Sequence, residues 1–556
     1  MKKCFFRRAL AGLLSFCLLA SGLPALNLNL SASAEDGSGS AVDAFGISMH
    51  TFTEAERAAA EQSTPYGVGY GTKTSLLTKN ELFLSEGWDE GTRHTKNFDL
   101  NGEGTSEAAL TEGIQGIDTS SMDTSSENYC FVETAAMDLN GTGKKEYVAH
   151  LGYNRSQGRL ELYVTDANNS RVTNILYLNS ENIGQLSSLD TYQVPGSIAL
   201  AAGDFDGDGR DTLVVYFPDV KTPTIQEYSV TGTNIQKAST VMWDVAIKLG
   251  IPARYDPSAN RENQAMVSLV AEDTDLDGFD ELVVTAGMND VQTSYHDQLD
   301  DGRLGSQLFI YDYSKTNGET DWHESFHTDL TTVTTGSENT AADVGRLVWA
   351  SSTVGNVVAS TATTTADYPE IIAAGYVDSQ GGGNITMKGG GGALGVVTVQ
   401  VSGQESETLE TGVHVDPEDP SSAMAQNVVG QYGVLYRQEV EANGFTSSGA
   451  YGEDCWGLLQ VQAFADRGVG AEESVFISGS LYESGDQGLV EKDLEIAGYY
   501  FDEADSYAQW SSSINDRLKQ TVVLDVVAGN FDGNDEGREQ ILCVTGLKVL
   551  LSVREL

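Results

Sequence analysis

The sequence predicts an all-β protein built from repeats, and three observations predict it. A nine-residue acidic loop recurs along the chain. Each clear copy leads at once into an apolar, β-branched run, the composition of a strand buried on both faces. A second extended run then follows most copies: Arg159 to Val164, Ile225 to Val230, Gln307 to Tyr311 and Gly395 to Val401. The unit therefore reads strand, acidic loop, strand, turn, strand.

The densest copy runs Gly203-Asp204-Phe205-Asp206-Gly207-Asp208-Gly209-Arg210-Asp211-Thr212 and continues into Leu213-Val214-Val215. Its carboxylates at Asp204, Asp206 and Asp208 stand two apart, and Gly209 can turn at positive φ to gather their oxygens round one centre. Hard oxygen ligands at that spacing favour calcium. The grammar recurs at Asp273 to Glu281 and at Asp138 to Glu146. An EF-hand would need a bidentate acid at loop position twelve, where these copies hold Ala149, Val215 and Val284, so that reading is excluded.

Faded copies stand at Asp99 to Glu107, before Glu370, around Glu473, and at Asn530 to Gln540 with one residue inserted. Seven stations give a period of about 72 residues, the size of a four-stranded blade with long loops. The expected architecture is a seven-bladed β-propeller over residues 66–556, its last sheet completed by an N-terminal strand. Tyr66 to Leu77 and Leu82 to Leu84 are strand candidates, and Thr53 to Gln62 is a helical candidate in an arm at 35–65. Long insertions at 376–395 and 414–450 are candidate binding loops.

A nine-residue loop feeding a strand, with Ala202-Gly203-Asp204-Phe205-Asp206-Gly207-Asp208-Gly209 at its core, resembles the FG-GAP or VCBS repeat of integrin-type β-propellers. The resemblance implies Ca2+ bound by side chains at positions one, three, five and nine and by the carbonyl at seven. The fullest station is Asp273, Asp275, Asp277 and Glu281, with the Phe279 carbonyl. Asp138, Asn140, Thr142 and Glu146, with the Lys144 carbonyl, carry less charge. Asp204, Asp206 and Asp208, with the Arg210 carbonyl, lack an acid at nine, where Thr212 stands and Asp211 comes one place early. Asp99, Asn101, Glu103 and Glu107 form a fourth candidate. In this family such ions staple blade edges and need not touch a ligand. The alternative is that Asp, Asn and Gly simply build turns, their side chains capping loop amides.

Lys2, Lys3, Arg7 and Arg8 precede an apolar run from Ala9 to Leu26 and then Ala32-Ser33-Ala34, which reads as a secretory signal peptide over residues 1–34. Without it the chain carries 28 basic and 81 acidic residues, a formal charge of −53. Such a balance argues against nucleic-acid partners and against anionic membranes, and it attracts divalent cations. Cys130, Cys455 and Cys543 are too sparse for a disulfide framework. No second hydrophobic span follows, so the expectation is a soluble extracellular or cell-surface protein in a Gram-positive-like setting.

His323-Glu324-Ser325-Phe326-His327 spells the H-E-x-x-H zinc motif. On a helix the two imidazoles would share a face, but the Thr-rich run after it favours a strand, in which Trp322, Glu324 and Phe326 alternate to one side. Three functions follow: a calcium-stabilised binding or adhesion module for an extracellular protein or glycan, a polysaccharide lyase or hydrolase on the same fold, and a zinc peptidase. Tyr66, Tyr70, Trp88, Tyr153, Tyr295, Trp456 and Trp510 either line a sugar-binding surface or pack between blades.

Overall fold

The computed structural model describes residues 73–76, 81–86, 94–99, 129–154, 159–168, 170–178, 198–217, 224–243, 245, 265–288, 306–316, 319–331, 346–357, 368–378, 385–386, 393–401, 414–415, 423–424, 432–441, 450–451, 455–465, 473–485, 488–500, 508–509, 521–529 and 539–547. Among them the protein is all-β. Five four-stranded antiparallel sheets follow one another along the chain, at 129–178, 199–242, 265–329, 346–441 and 455–509. A three-stranded sheet at 73–99 precedes them and a two-stranded sheet at 521–547 follows. In chain order these are the first to seventh sheets.

The fourth sheet illustrates why these sequences make strands. Its strands, Ala265–Glu272, Glu281–Met288, Gln307–Thr316 and Glu319–Asp329, pair in chain order. Val270, Val283, Ile310 and Phe326 lie in one row of partners across the sheet. That face packs on Leu347, Ile371, Ala373, Val397 and Val399 of the fifth sheet. Leu282, Val284, Phe309 and Tyr311 point the other way, into Val214, Tyr216 and Ile225 of the third sheet. Both faces are buried, so the period of two is hidden inside continuous runs such as Glu281-Leu282-Val283-Val284. Each fully buried Val, Leu or Phe is worth about 1.5–3 kcal/mol, so these two interfaces hold the sheets together.

The first strands of the sheets are neighbours. Tyr129–Met137 lies against Ala199–Gly203, that strand against Ala265–Glu272, and the series continues through Arg346–Gly355 and Cys455–Phe464 to Thr521–Gly529. Thr521–Gly529 in turn borders Lys73–Leu76, which borders Tyr129–Met137. Small residues permit the approach: a side chain at Gly203 would meet Ala271 Cβ at 2.8 Å and Asp280 Oδ2 at 2.7 Å.

Several expectations need correcting. No N-terminal strand completes the seventh sheet among the described residues. Lys73–Leu76 pairs instead with Glu81–Glu86 across a short connection, which closes a far smaller loop. The acidic loops at Asp138, Asp204 and Asp273 join first to second strands, whereas Asp99 ends a third strand, His94–Asp99, and is out of step with them. The helical candidate Thr53 to Gln62 lies outside the described residues. Tyr432–Glu441, inside the second expected insertion, is the fourth strand of the fifth sheet, and Ile385–Thr386 from the first insertion pairs with Ala450–Tyr451 at the end of the second. No helix among the described residues is long and apolar enough to cross a membrane.

Candidate metal centres

In the fourth sheet the loop between Glu272 and Glu281 brings one oxygen each from Asp273, Asp275 and Glu281 within 4.8 Å of one another. The backbone turns through Leu276 at φ 60° and Gly278 at φ 91°. Asp277 N donates to Asp273 Oδ1 at 3.1 Å and to Asp275 Oδ1 at 3.2 Å, and Gly278 N donates to Asp273 Oδ2 at 3.0 Å. Asp277 Oδ1 accepts from Phe279 N at 2.9 Å, so in this geometry it caps the turn. Glu281 is buried at the head of its strand, where Oε2 accepts from Thr274 N and from Thr274 Oγ1, each at 2.7 Å.

Electrostatics marks this cluster as short of positive charge. Burial, with the charges of Asp275 and Asp312 added, pushes Glu281 up to about 8, and burial together with Asp277 pushes Asp275 up to about 6. Asp312, on the third strand, is also pushed up by burial, against the pull of His323 and Ser325. The donors are hard oxygens, and a divalent cation would supply the missing counter-charge. Asp312 was invisible to the loop grammar because its charge acts on Asp275 and Glu281 from another strand.

In the third sheet Asp204, Asp206 and Asp208 likewise place oxygens within 4.8 Å of one another. Asp204 Oδ2 accepts from Gly209 N at 2.9 Å, while Asp204 Oδ1 is buried with no hydrogen-bond partner. A buried, unpaired carboxylate oxygen in a loop that gathers two more carboxylates fits a cation. Burial, and then Asp206, raise the Asp204 carboxyl. Thr212 does not serve the loop, because its hydroxyl donates to Glu227 Oε1 at 3.2 Å.

The Asp138 loop is built differently. Asp138 Oδ1 accepts from Asn140 N and Gly141 N, at 3.1 and 2.9 Å, and Oδ2 from Gly143 N and Lys144 N, at 2.5 and 3.2 Å. Burial alone would raise this carboxyl, but the loop amides hold it below its ordinary value. Here the turn-building role is satisfied by the protein itself, while Asn140 and Thr142 are exposed. In the fourth candidate set Asn101, Glu103 and Glu107 lie outside the described residues.

Asp211, whose position seemed one place early, has another task. Its Oδ2 accepts from Asp138 N at 2.7 Å and its own N donates to Asp138 O at 2.9 Å, across to the second sheet. Asp280 repeats this on Asp204, accepting at 2.8 Å and donating at 3.1 Å. Glu473 does so on Asn356, and Glu539 on Ala465. In every case the acid directly precedes the second strand of its sheet and grips the residue directly after the first strand of the preceding sheet.

The H-E-x-x-H residues lie in the strand Glu319–Asp329, so the two histidines do not share a helical face. His323, half exposed, is 3.4 Å from Asp312, whereas His327 Nδ1 is 2.5 Å from Glu324 Oε1. A bulge at Ser325 also breaks the expected alternation: Trp322 turns toward the third sheet and Phe326 toward the fifth.

No family model matches the sequence, and no curated protein matches it. Among solved structures, a mutant of AofleA from Arthrobotrys oligospora is 11% identical, with 81% of this chain and 89% of that chain covered and a TM-score of 0.31. The rhamnogalacturonan lyase YesW is 12% identical, with 85% and 79% covered and a TM-score of 0.30. The exotype rhamnogalacturonan lyase YesX is 12% identical, with 80% and 90% covered and a TM-score of 0.28. Likenesses this distant carry no argument about what the chain does.

Proposed function

We propose that this chain is a secreted, calcium-stapled, seven-bladed β-propeller that serves as a binding platform for an extracellular protein or glycan. The observation that carries the reading is the convergence of Asp273, Asp275 and Glu281, and of Asp204, Asp206 and Asp208, on equivalent first-to-second strand connections of neighbouring sheets. The order of neighbouring first strands, with Thr521–Gly529 beside Lys73–Leu76, supports closure of the seven sheets into one propeller. Calcium is the cation that suits all-oxygen ligands on a flexible loop, and the ions act as staples between strands. Resemblance to FG-GAP repeats supports the same ion.

A platform needs exposed groups to bind with. Trp243, which is 69% exposed, directly follows the outer strand of the third sheet, Asn234–Met242, with Lys237 Nζ 5.8 Å from its ring centre, an arrangement suited to stacking on a sugar face. The test is a glycan and extracellular-protein binding screen in calcium and in chelator, with Trp243→Ala as the variant. Saturable binding that Trp243→Ala weakens, with the ligand recovered intact, fits the proposal. Depolymerisation of an acidic glycan would replace it with the enzyme reading.

A further inference from the structure

We propose that Asp280 is a positioning residue that couples two acidic loops, so that a cation held in the Asp273 loop raises the affinity of the Asp204 loop before it. The inference rests on the calcium reading above. Asp280 sits between Phe279 and Glu281 in the Asp273 loop, and its two hydrogen bonds fix both backbone groups of Asp204, the first carboxylate of the preceding loop. Phe279 adds a second contact, since its ring covers Gly207 so closely that a Cβ there would overlap it. The Asp204 loop treats the Asp138 loop in the same way. Asp211 grips Asp138, and the Arg210 side chain lies 3.4 Å from where a Cβ on Gly141 would stand.

Two contacts thus recur at fixed loop positions: residue seven covers the glycine at four, and the acid at eight grips residue one. Binding a cation at Asp273, Asp275 and Glu281 orders the segment that carries Phe279 and Asp280. That ordering removes freedom from Asp204 and Gly207, and a second cation then loses less conformational entropy on binding. Glu473 and Glu539 make the same grip on Asn356 and Ala465, residues without carboxylates, so the grip is a general joint between sheets. Only between the Asp273 and Asp204 loops does it link two loops that each gather three carboxylates, and only there does it transmit occupancy.

Calcium uptake by the whole mature chain, followed by isothermal titration calorimetry, tests this. The component lost in Asp204→Ala identifies the Asp204 loop. Asp280→Ala is expected to weaken that component about tenfold, while Asp280→Asn, whose side-chain oxygen still accepts the Asp204 N–H, recovers most of it. An unchanged component in Asp280→Ala, or an Asn variant as weak as the Ala variant, overturns the coupling and leaves calcium binding standing. A wild-type chain that takes up no calcium overturns the calcium reading itself, and the coupling with it. A second measurement leaves Asp280 intact: in Asp206→Ala/Asp208→Ala, calcium entering the Asp273 loop is expected to slow hydrogen exchange at the Asp204 amide. Exchange that ignores calcium there would overturn the proposal.

Discussion

The buried carboxylate of Glu281 accepts two hydrogen bonds from a single residue, Thr274, through its backbone N–H and its hydroxyl. The same hydroxyl lies 2.9 Å from Tyr432 OH in the fifth sheet. Loop, strand and neighbouring sheet therefore meet at one acid, and the charge state of that acid governs what the fold tolerates.

Stability without calcium should fall as pH rises. Glu281 at about 8 and Asp275 at about 6 stand above their unfolded values, so the stability they contribute is full below those unfolded values and is lost as pH climbs through 6 and 8. Asp138 works oppositely, its contribution disappearing only as pH falls through its lowered folded value. Melting of metal-free protein is expected to be lower at about pH 8.5 than at about pH 5.5, with calcium reversing the order. Equal metal-free melting at the two pH values would count against the buried acid cluster.

Glu281→Gln keeps an oxygen for Thr274 and removes the charge. Without calcium at alkaline pH the variant should melt above wild type. Its calcium affinity should fall about tenfold or more, since one carboxylate is gone from the cluster. Calorimetry with and without chelator separates the two effects.

Gly207→Ala should cost about 1–3 kcal/mol, because a φ of +67° disfavours a side chain and the Phe279 ring occupies the space. Gly232→Ala, at φ +61° with nothing within 4 Å, should cost only the backbone share, about 1 kcal/mol. Denaturant titration of the pair reports the difference, and equal losses would remove the contact between loops from the account.

Glu227 is buried, and its carboxylate accepts from Thr212 Oγ1 and Ser239 Oγ and, across to the fourth sheet, from Trp322 Nε1 at 3.0 Å. Glu227→Ala leaves these donors unpaired and should cost about 2–4 kcal/mol, with a change in tryptophan emission. Ser239→Ala, which removes one donor, should cost about 1 kcal/mol.

His323→Ala should change stability by less than about 0.5 kcal/mol, since its side chain is 51% exposed, and zinc should protect neither variant nor wild type. His327→Ala should cost more, because His327 is buried and its loss strips the half-buried Glu324 of a partner. Zinc-dependent proteolysis lost in His323→Ala would restore the peptidase reading.

Much of this was legible in the residues. Asp204-x-Asp206-x-Asp208 and Asp273-x-Asp275 announce their loops because local spacing alone gathers the oxygens, and Leu213-Val214-Val215 announces a strand buried on both faces. Contacts between distant segments were not legible. Nothing near Asp211 or Asp280 in sequence names Asp138 or Asp204 as the partner, and the charge of Asp312 comes to act on Asp275 and Glu281 only through strand register. The bulge at Ser325 inverts a side-chain alternation that looked secure. In each of these cases the deciding contact is set by tertiary pairing, which short-range pattern does not carry.

Whether cations staple these loops is tested most directly by the calcium content and thermal melting of the chain without residues 1–34, compared in calcium, in zinc and in chelator. At least two bound calcium ions are expected, one for each convergent cluster, with a melting temperature that calcium raises and chelator lowers. A chain that binds no calcium and melts at the same temperature in all three would contradict the stapling.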